Sequence, residues 1–395
     1  MKMTFKELIS ICLSMVLAFS LAMPVYAGSA TSGSISSNYE FDEATGHLTI
    51  GKVIEYIEIK EIVDIPLYDI KSVTIRDDVI SIIGCAFEGC KGLTSINVDK
   101  GNPYLKSIDG VLFSKDGTEL IKCPEGKKAN NYTIPDSVTK IRKYAFIGCK
   151  GLTSINVDEK NPNYKSIGGV IFSKDEKTLH TYPAGKKATN YIIPNSVTKI
   201  DYYAFYGCTG LTSITIPDSV TSIGSSAFIG CKGLTSINIG NGVEKIGEGA
   251  FKDSTGLTSV TIGNGVKSIG SSAFEGCKGL TSINIPDSVK SIGSSAFEGC
   301  KGLISITIDS ATIWNRAFAD CTGLEKVILG NHVERIARRK SCRPRQYSGK
   351  MAVIYYKSFA HENAFYGCTS LKEVTIPKEF DITDIFNENV KVNRI

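Results

Sequence analysis

A 23-residue period governs this chain. Ala-Phe pairs recur with phenylalanines at Phe87, Phe146, Phe205, Phe228, Phe251, Phe274, Phe297, Phe318 and Phe365, and the successive gaps are 59, 59, 23, 23, 23, 23, 21 and 47. In a full copy, residues 231–253, the apolar positions are Leu234, Ile237, Ile239, Val243, Ile246, Ala250 and Phe251. A unit this short cannot bury that set alone, whereas stacked units cover one another. The 395 residues therefore read as one quasi-linear array rather than two or three domains of ~150 residues.

Within the unit, Ile237 and Ile239 alternate with Ser236 and Asn238, the period-two pattern of a half-buried strand. A turn follows, written Pro217-Asp218-Ser219 or Gly263-Asn264-Gly265 in different copies. A second extended piece ends at Ile246. The Gly-Ser-Ser-Ala-Phe stretch after it is expected to form a short helical or 3₁₀ corner, capped by its serines. Nine coils at the ~4.8 Å spacing of paired strands would give a rod on the order of 45 Å long.

The motif Cys-x-Gly-Leu-x-x-Ile-x-Ile-Pro-x-x-Val-x-x-Ile-Gly-x-x-Ala-Phe-x-Gly resembles the BspA-like leucine-rich repeat family of bacterial surface antigens, over residues 71–377. The expected fold is thus an α/β-type, leucine-rich-repeat-like solenoid with a parallel strand sheet on one face. Residues 28–70 resemble the family's amino-terminal cap. There Tyr39–Phe41, the turn Asp42–Gly46 and His47–Ile50 would make a hairpin sealing the first coil. The resemblance implies adhesion to host proteins, mucosal surfaces or other bacteria.

The first 27 residues read as a secretory signal peptide: a basic start, an apolar run from Leu8 to Met23, and Val25-Tyr26-Ala27 before a cleavage site at Ala27/Gly28. The run is shorter than the ~20 residues of a spanning helix and contains Ser10, Ser14 and Ser20. The expectation is a mature protein with no membrane span, secreted or held at the cell surface.

Two departures interrupt the period. Each 59-residue gap adds a strand-turn-strand pattern, at about 100–130 and 160–190, with Lys115-Asp116-Gly117 and Lys174-Asp175-Glu176 as the turns. An Asp-Gly turn between apolar strands is a hairpin signal. The insertions read equally as alternative coils serving the core or as binding elements. The second departure, a degenerate coil at about 337–358, is basic: Arg335, Arg338, Arg339, Lys340, Arg343 and Arg345 lie together without an acid. Beyond residue 27 the chain has 43 basic and 39 acidic residues, and without these six the count is 37 against 39. The cluster is either an attractant for anionic polymers or a decayed, solvated coil. Residues 378–395 form a tail or cap without a sorting motif. The net charge of +5 is too small to imply a nucleic-acid partner.

Eight cysteines follow a motif phenylalanine by three positions: Cys90, Cys149, Cys208, Cys231, Cys277, Cys300, Cys321 and Cys368, with Ser254 breaking the series. Stacked at ~4.8 Å in a parallel ladder, they suit buried thiols better than disulfides, whose Cβ atoms approach to about 3.5–4.5 Å and face one another. Cys85, Cys123 and Cys342 lie off the ladder. No close Cys-x₂-Cys pair suggests zinc, and His47, His180, His332 and His361 are scattered. No enzyme, metal site or cofactor is expected. The expected binding face is the outward side of the strand sheet, Ser213, Thr215, Ser236, Asn238, Ser259, Thr261, Ser282, Asn284, Ser305 and Thr307. Partners would be host or bacterial surface proteins or glycans, and the runner-up role is a polysaccharide- or wall-binding module. Trp314, near the basic cluster, adds a hot-spot residue type to the C-terminal third.

Overall fold

The computed structural model describes residues 39–51, 65–83, 85–309, 311–333, 335–336, 363–378, 385–386 and 388–395. Each regular coil gives one long and one short strand. The long strands Asn190–Ile192, Ser213–Ile216, Ser236–Ile239, Ser259–Ile262, Ser282–Asn284, Ser305–Ile308, Lys326–Leu329, Glu373–Ile376 and Lys391–Arg394 form a nine-stranded parallel sheet. The short strands, such as Ser222–Ile223 and Lys245–Ile246, line up as seven of the ten strands of a second sheet. Register is uniform: Ser213 pairs with Ser236, Ser236 with Ser259, Ser259 with Ser282, and Ser282 with Ser305. A one-residue slip would turn every isoleucine to solvent, so the alternation itself fixes the register.

The Ala-Phe corners form a third ladder rather than the expected helical turns. Phe228 N–H donates to Ala250 O at 2.7 Å, Ser226 N–H to Glu248 O at 2.8 Å, and Gly230 N–H to Lys252 O at 2.8 Å. The alternate donors close i→i−3 turns, Ala227 N–H to Gly224 O at 3.3 Å and Ile229 N–H to Ser226 O at 3.2 Å, so the corner is a string of turns rather than a continuous helix. The serines adopt left-handed backbone angles (Ser226, Ser272 and Ser295 at φ 56, 54 and 57°). Among the described residues the single 3₁₀ segment is Leu67–Asp69. The stack has about twelve turns rather than nine, because the insertions and terminal strands add coils of their own.

The motif phenylalanines stack along the interior. From Phe205 through Phe228, Phe251, Phe274, Phe297 and Phe318 to Phe365, centroids lie 4.7–5.4 Å apart and ring planes within 15°. Around this column one hydrophobic core runs unbroken from Val170 to Val390. The amino-terminal part has two smaller cores, Leu48–Ile121 and Val111–Ile171.

Both insertions are three-stranded. Leu105–Ile108, Val111–Ser114 and Glu119–Lys122 pair antiparallel, and Glu119–Lys122 then pairs in parallel with Lys140–Ile141. The second insertion, Tyr164–Ile167, Val170–Ser173 and Thr178–Thr181, repeats this and leads the ten-stranded sheet. Phe113, Leu120, Phe172 and Leu179 are fully buried, so these hairpins build core. The head is a hairpin, Tyr39–Asp42 against His47–Ile50, followed in parallel by Ser72–Ile75 and Ser95–Val98.

Candidate functional site

The long strands alternate by burial, with Ile214, Ile237, Val260, Ile283 and Ile306 in the core. Their neighbours Thr215, Ser236, Asn238, Ser259, Thr261, Ser282, Asn284, Ser305 and Thr307 are exposed, and Ser213 is half-buried. The strand pairing brings these ten side chains into adjacent columns on one surface. Ser213 Oγ donates to Asn190 Oδ1 at 2.6 Å. Upstream of three of these strands a threonine ties its coil to the one before: Thr212 Oγ1 donates to Thr189 O, Thr235 Oγ1 to Thr212 O, and Thr258 Oγ1 to Thr235 O, at 3.0–3.1 Å. Ile304 replaces this threonine in its coil and is exposed. The surface offers many short hydrogen-bonding groups.

The eight ladder cysteines are buried. Their thiols donate inward: Cys231 Sγ to Phe205 O, Cys277 to Phe251 O, Cys300 to Phe274 O, Cys321 to Phe297 O and Cys368 to Phe318 O, all at 3.1–3.2 Å. Ser254 continues the pattern, donating from Oγ to Phe228 O at 2.9 Å. Burial pushes the Cys231 and Cys277 thiols up to about 12, so they stay protonated and unreactive at neutral pH. Cys123 and Cys85 are likewise in no disulfide, buried and half-buried respectively.

A sequence profile described as the BspA type leucine rich repeat region, in six copies, matches residues 67–129, 125–183, 180–304, 244–341 and 356–392. The chain belongs to this family. Among solved structures, it resembles a leucine-rich repeat protein from Eubacterium ventriosum at 25% identity, over 67% of this chain and 93% of the other, with a TM-score of 0.40. A leucine rich cell surface protein from Faecalibacterium prausnitzii is 21% identical over 79% and 96%, TM-score 0.41. A leucine-rich repeat protein from Bacteroides ovatus is 20% identical over 91% and 98%, TM-score 0.41. No curated protein matches the chain.

In this BspA type array, Arg338, Arg339, Lys340, Arg343 and Arg345 lie outside the described residues, as do residues 1–27, expected as a signal peptide, and Cys342. Arg335 contributes its backbone to the short strand Arg335–Ile336, paired with Thr312–Ile313. Trp314 stands where other coils have a glycine such as Gly293. It is 43% exposed, and its Nε1 donates to Ser291 Oγ at 3.1 Å. His47 Nδ1 lies 2.7 Å from Ser72 Oγ. His180 packs edge-on against Tyr164, and burial holds its pKa below the usual imidazole value. Among the described residues no group of three His, Cys, Asp or Glu side chains is placed to hold a metal. No described helix is long and apolar enough to cross a membrane. A cavity of about 20 Å³, lined by Arg142, Lys143, Tyr182, Tyr202, Tyr203 and Tyr206, has room for a single water.

Three features escaped the sequence reading. Asn102 and Asn161 are fully buried at the heads of the insertions. Asn161 Nδ2 donates to Pro135 O and Val138 O, and its Oδ1 accepts from the N–H groups of Asn163 and Tyr164, all at 2.8–2.9 Å. Asn102 does the same with Arg76 O, Val79 O, Tyr104 N–H and Leu105 N–H. The signal was the recurrence of Asn-Pro at the 59-residue spacing. The third is a buried pair: Lys122 Nζ donates to Ile147 O at 3.0 Å and lies 4.0 Å from Glu125 Oε1, which accepts from Gly89 N–H. Burial raises the Glu125 carboxyl above its ordinary range. The second insertion has Thr181 and Ala184 in these places.

Proposed function

We propose that this chain is an exported, non-catalytic scaffold of the bacterial cell surface, whose long-strand face holds extended partners through many weak contacts. The observation that carries the reading is the uniform register that sets Ser236, Asn238, Ser259, Thr261, Ser282 and Asn284 on one surface. Family membership supports a surface repeat scaffold. Short hydroxyl and amide groups lack the aromatic and arginine anchors of tight interfaces, so strength comes from repetition. Adhesion to host proteins, mucosal surfaces or other bacteria is the role that fits. The test is binding of the secreted protein to host cells, matrix proteins and bacterial walls. Saturable binding is expected, and the double variant Asn238→Arg/Thr261→Arg should lose it. No saturable binding on any surface overturns the reading. Recovery of the protein in the cytosol, with residues 1–27 still attached, would overturn export.

A wall- or polysaccharide-binding role is the second reading, favoured by the run of basic residues from Arg335 to Arg345. Wall binding of that origin should weaken steeply with salt and be abolished by Arg338, Arg339 and Arg343 to alanine.

A further inference from the structure

Charge on the long-strand face is sorted by position. From Ser95 to Thr307 every side chain directed outward from a long strand is Ser, Thr, Asn or Ile. The upstream edge of the same sheet is basic. The residue after each ladder cysteine, or after Ser254, is Lys or Thr in all nine copies, and the insertions add Lys128 and Lys187 at the same turn. Lys128, Lys150, Lys187, Lys232, Lys278 and Lys301 are exposed and make no ion pair or side-chain hydrogen bond among the described residues. These turns lie directly on one another: a Cβ on Gly256, Gly302 or Gly323 would strike the carbonyl of Lys232, Lys278 or Lys301 in the coil beneath. The downstream edge carries Asp99, Asp136, Asp158, Asp218, Asp287 and Asp309, with Lys100 and Lys160 among them.

Elsewhere on the described surface, several lysines meet acids. Lys267 pairs with Glu244 at 2.8 Å, Lys252 with Glu275 at 2.9 Å, and Lys199 with Asp201 at 3.2 Å. Among the described residues, the upstream edge sets a row of ammonium groups without an ion pair beside a strip of neutral hydroxyls and amides. Lys232 and Lys278 are two coils apart, about 10 Å at the strand spacing, close to the length of a disaccharide unit.

We infer that this edge and strip bind a linear acidic polysaccharide lying along the stack, its charged groups on the lysines and its hydroxyls on the Ser, Thr and Asn columns. The inference rests on the surface-scaffold reading and names its ligand class. A nucleic acid would call for stacking aromatics, and a tightly held protein for aromatic or arginine anchors. The strip has neither.

The test uses the whole chain with three immobilised probes: heparin as the sulfated polymer, polygalacturonate as the carboxylated one, and dextran as the neutral control. Two triple variants change the net charge equally, Lys232→Glu/Lys278→Glu/Lys301→Glu on the edge and Lys199→Glu/Lys245→Glu/Lys267→Glu on the short-strand sheet. The expected result is binding to at least one acidic polymer but not to dextran, weakened by salt. The edge triple should lose about ten-fold or more in affinity and the other triple less than about two-fold. Should the edge triple misfold by circular dichroism, the triple to glutamine serves instead. Equal losses from both triples, equal binding to dextran, or tighter binding to single-stranded RNA would each overturn the assignment. If the protein binds host proteins or walls but neither acidic polymer, the ligand class fails while the scaffold reading stands. If it binds nothing, both fail.

Discussion

The regular coils between Phe205 and Phe297 and the interrupted coils between Phe87 and Tyr182 solve the same problem differently. Where the 23-residue unit repeats without interruption, backbone donors meet carbonyls in the adjacent coil or in a turn of their own coil, and the Phe column keeps a single core. Where a hairpin is inserted, the column stops, the core divides, and buried polar side chains take up the stranded backbone groups: Asn102, Asn161 and Lys122. An uninterrupted repeat satisfies its own backbone. An interruption needs dedicated side chains, and each is a point of fragility because an unmatched buried polar group costs about 1–3 kcal/mol.

The largest expected effect tests the regular half. Phe251→Ala removes a fully buried ring stacked on both sides and should cost about 3–5 kcal/mol, read by urea unfolding. A loss below about 1 kcal/mol would show that the column is not the structural spine. Next, Asn161→Ala should cost about 3 kcal/mol and raise hydrogen exchange first around Pro135–Val138 and Tyr164. Asn241→Ala, on an exposed turn, should change stability by less than about 0.5 kcal/mol. Equal effects would erase the contrast between the two regions.

A smaller effect is set by pH. His180 lies inside the second insertion, near Asp201 and Lys199, with its proton affinity lowered by burial. The unfolded imidazole titrates near about 6.5. As pH falls through that value the unfolded chain takes up a proton that the folded one resists, so stability declines towards acid. His180→Gln should flatten this part of the stability-pH profile, measured between pH 7 and pH 5 (roughly the span of a lowered imidazole). An unchanged profile would remove His180 as its source. The smallest effect belongs to the thiol ladder. Cys277→Ser should cost under about 1 kcal/mol, since Ser254 already makes the same bond. Cys277→Val should cost more, because Phe251 O loses the thiol and keeps only the Ser254 N–H as donor. The reverse order would mean that volume, not the hydrogen bond, sets this position.

Much of this was legible in the sequence, for physical reasons. Alternation at Ser236–Ile239 fixes which side chains face out, and recurring Phe at 23-residue steps fixes the column. The corners were misread because Gly-Ser-Ser-Ala-Phe is locally compatible with a helical turn. Its left-handed Ser226 is dictated by the carbonyl of Glu248 in the next coil, which no local preference reports. Asn102 and Asn161 looked like ordinary turn residues, because an Asn before Pro commonly starts a turn. The lysine edge was visible one position after five of the eight ladder cysteines, but its lack of ion pairs needed the neighbouring coils in place.

The shared register has a bearing on how such a gene can change. Because Ser213 meets Ser236 just as Ser236 meets Ser259, excising residues 232–254 would bring equivalent atoms together at the joint. Unequal recombination between copies can therefore shorten or lengthen the protein in whole coils, altering the span of the stack while leaving every surviving contact as it was.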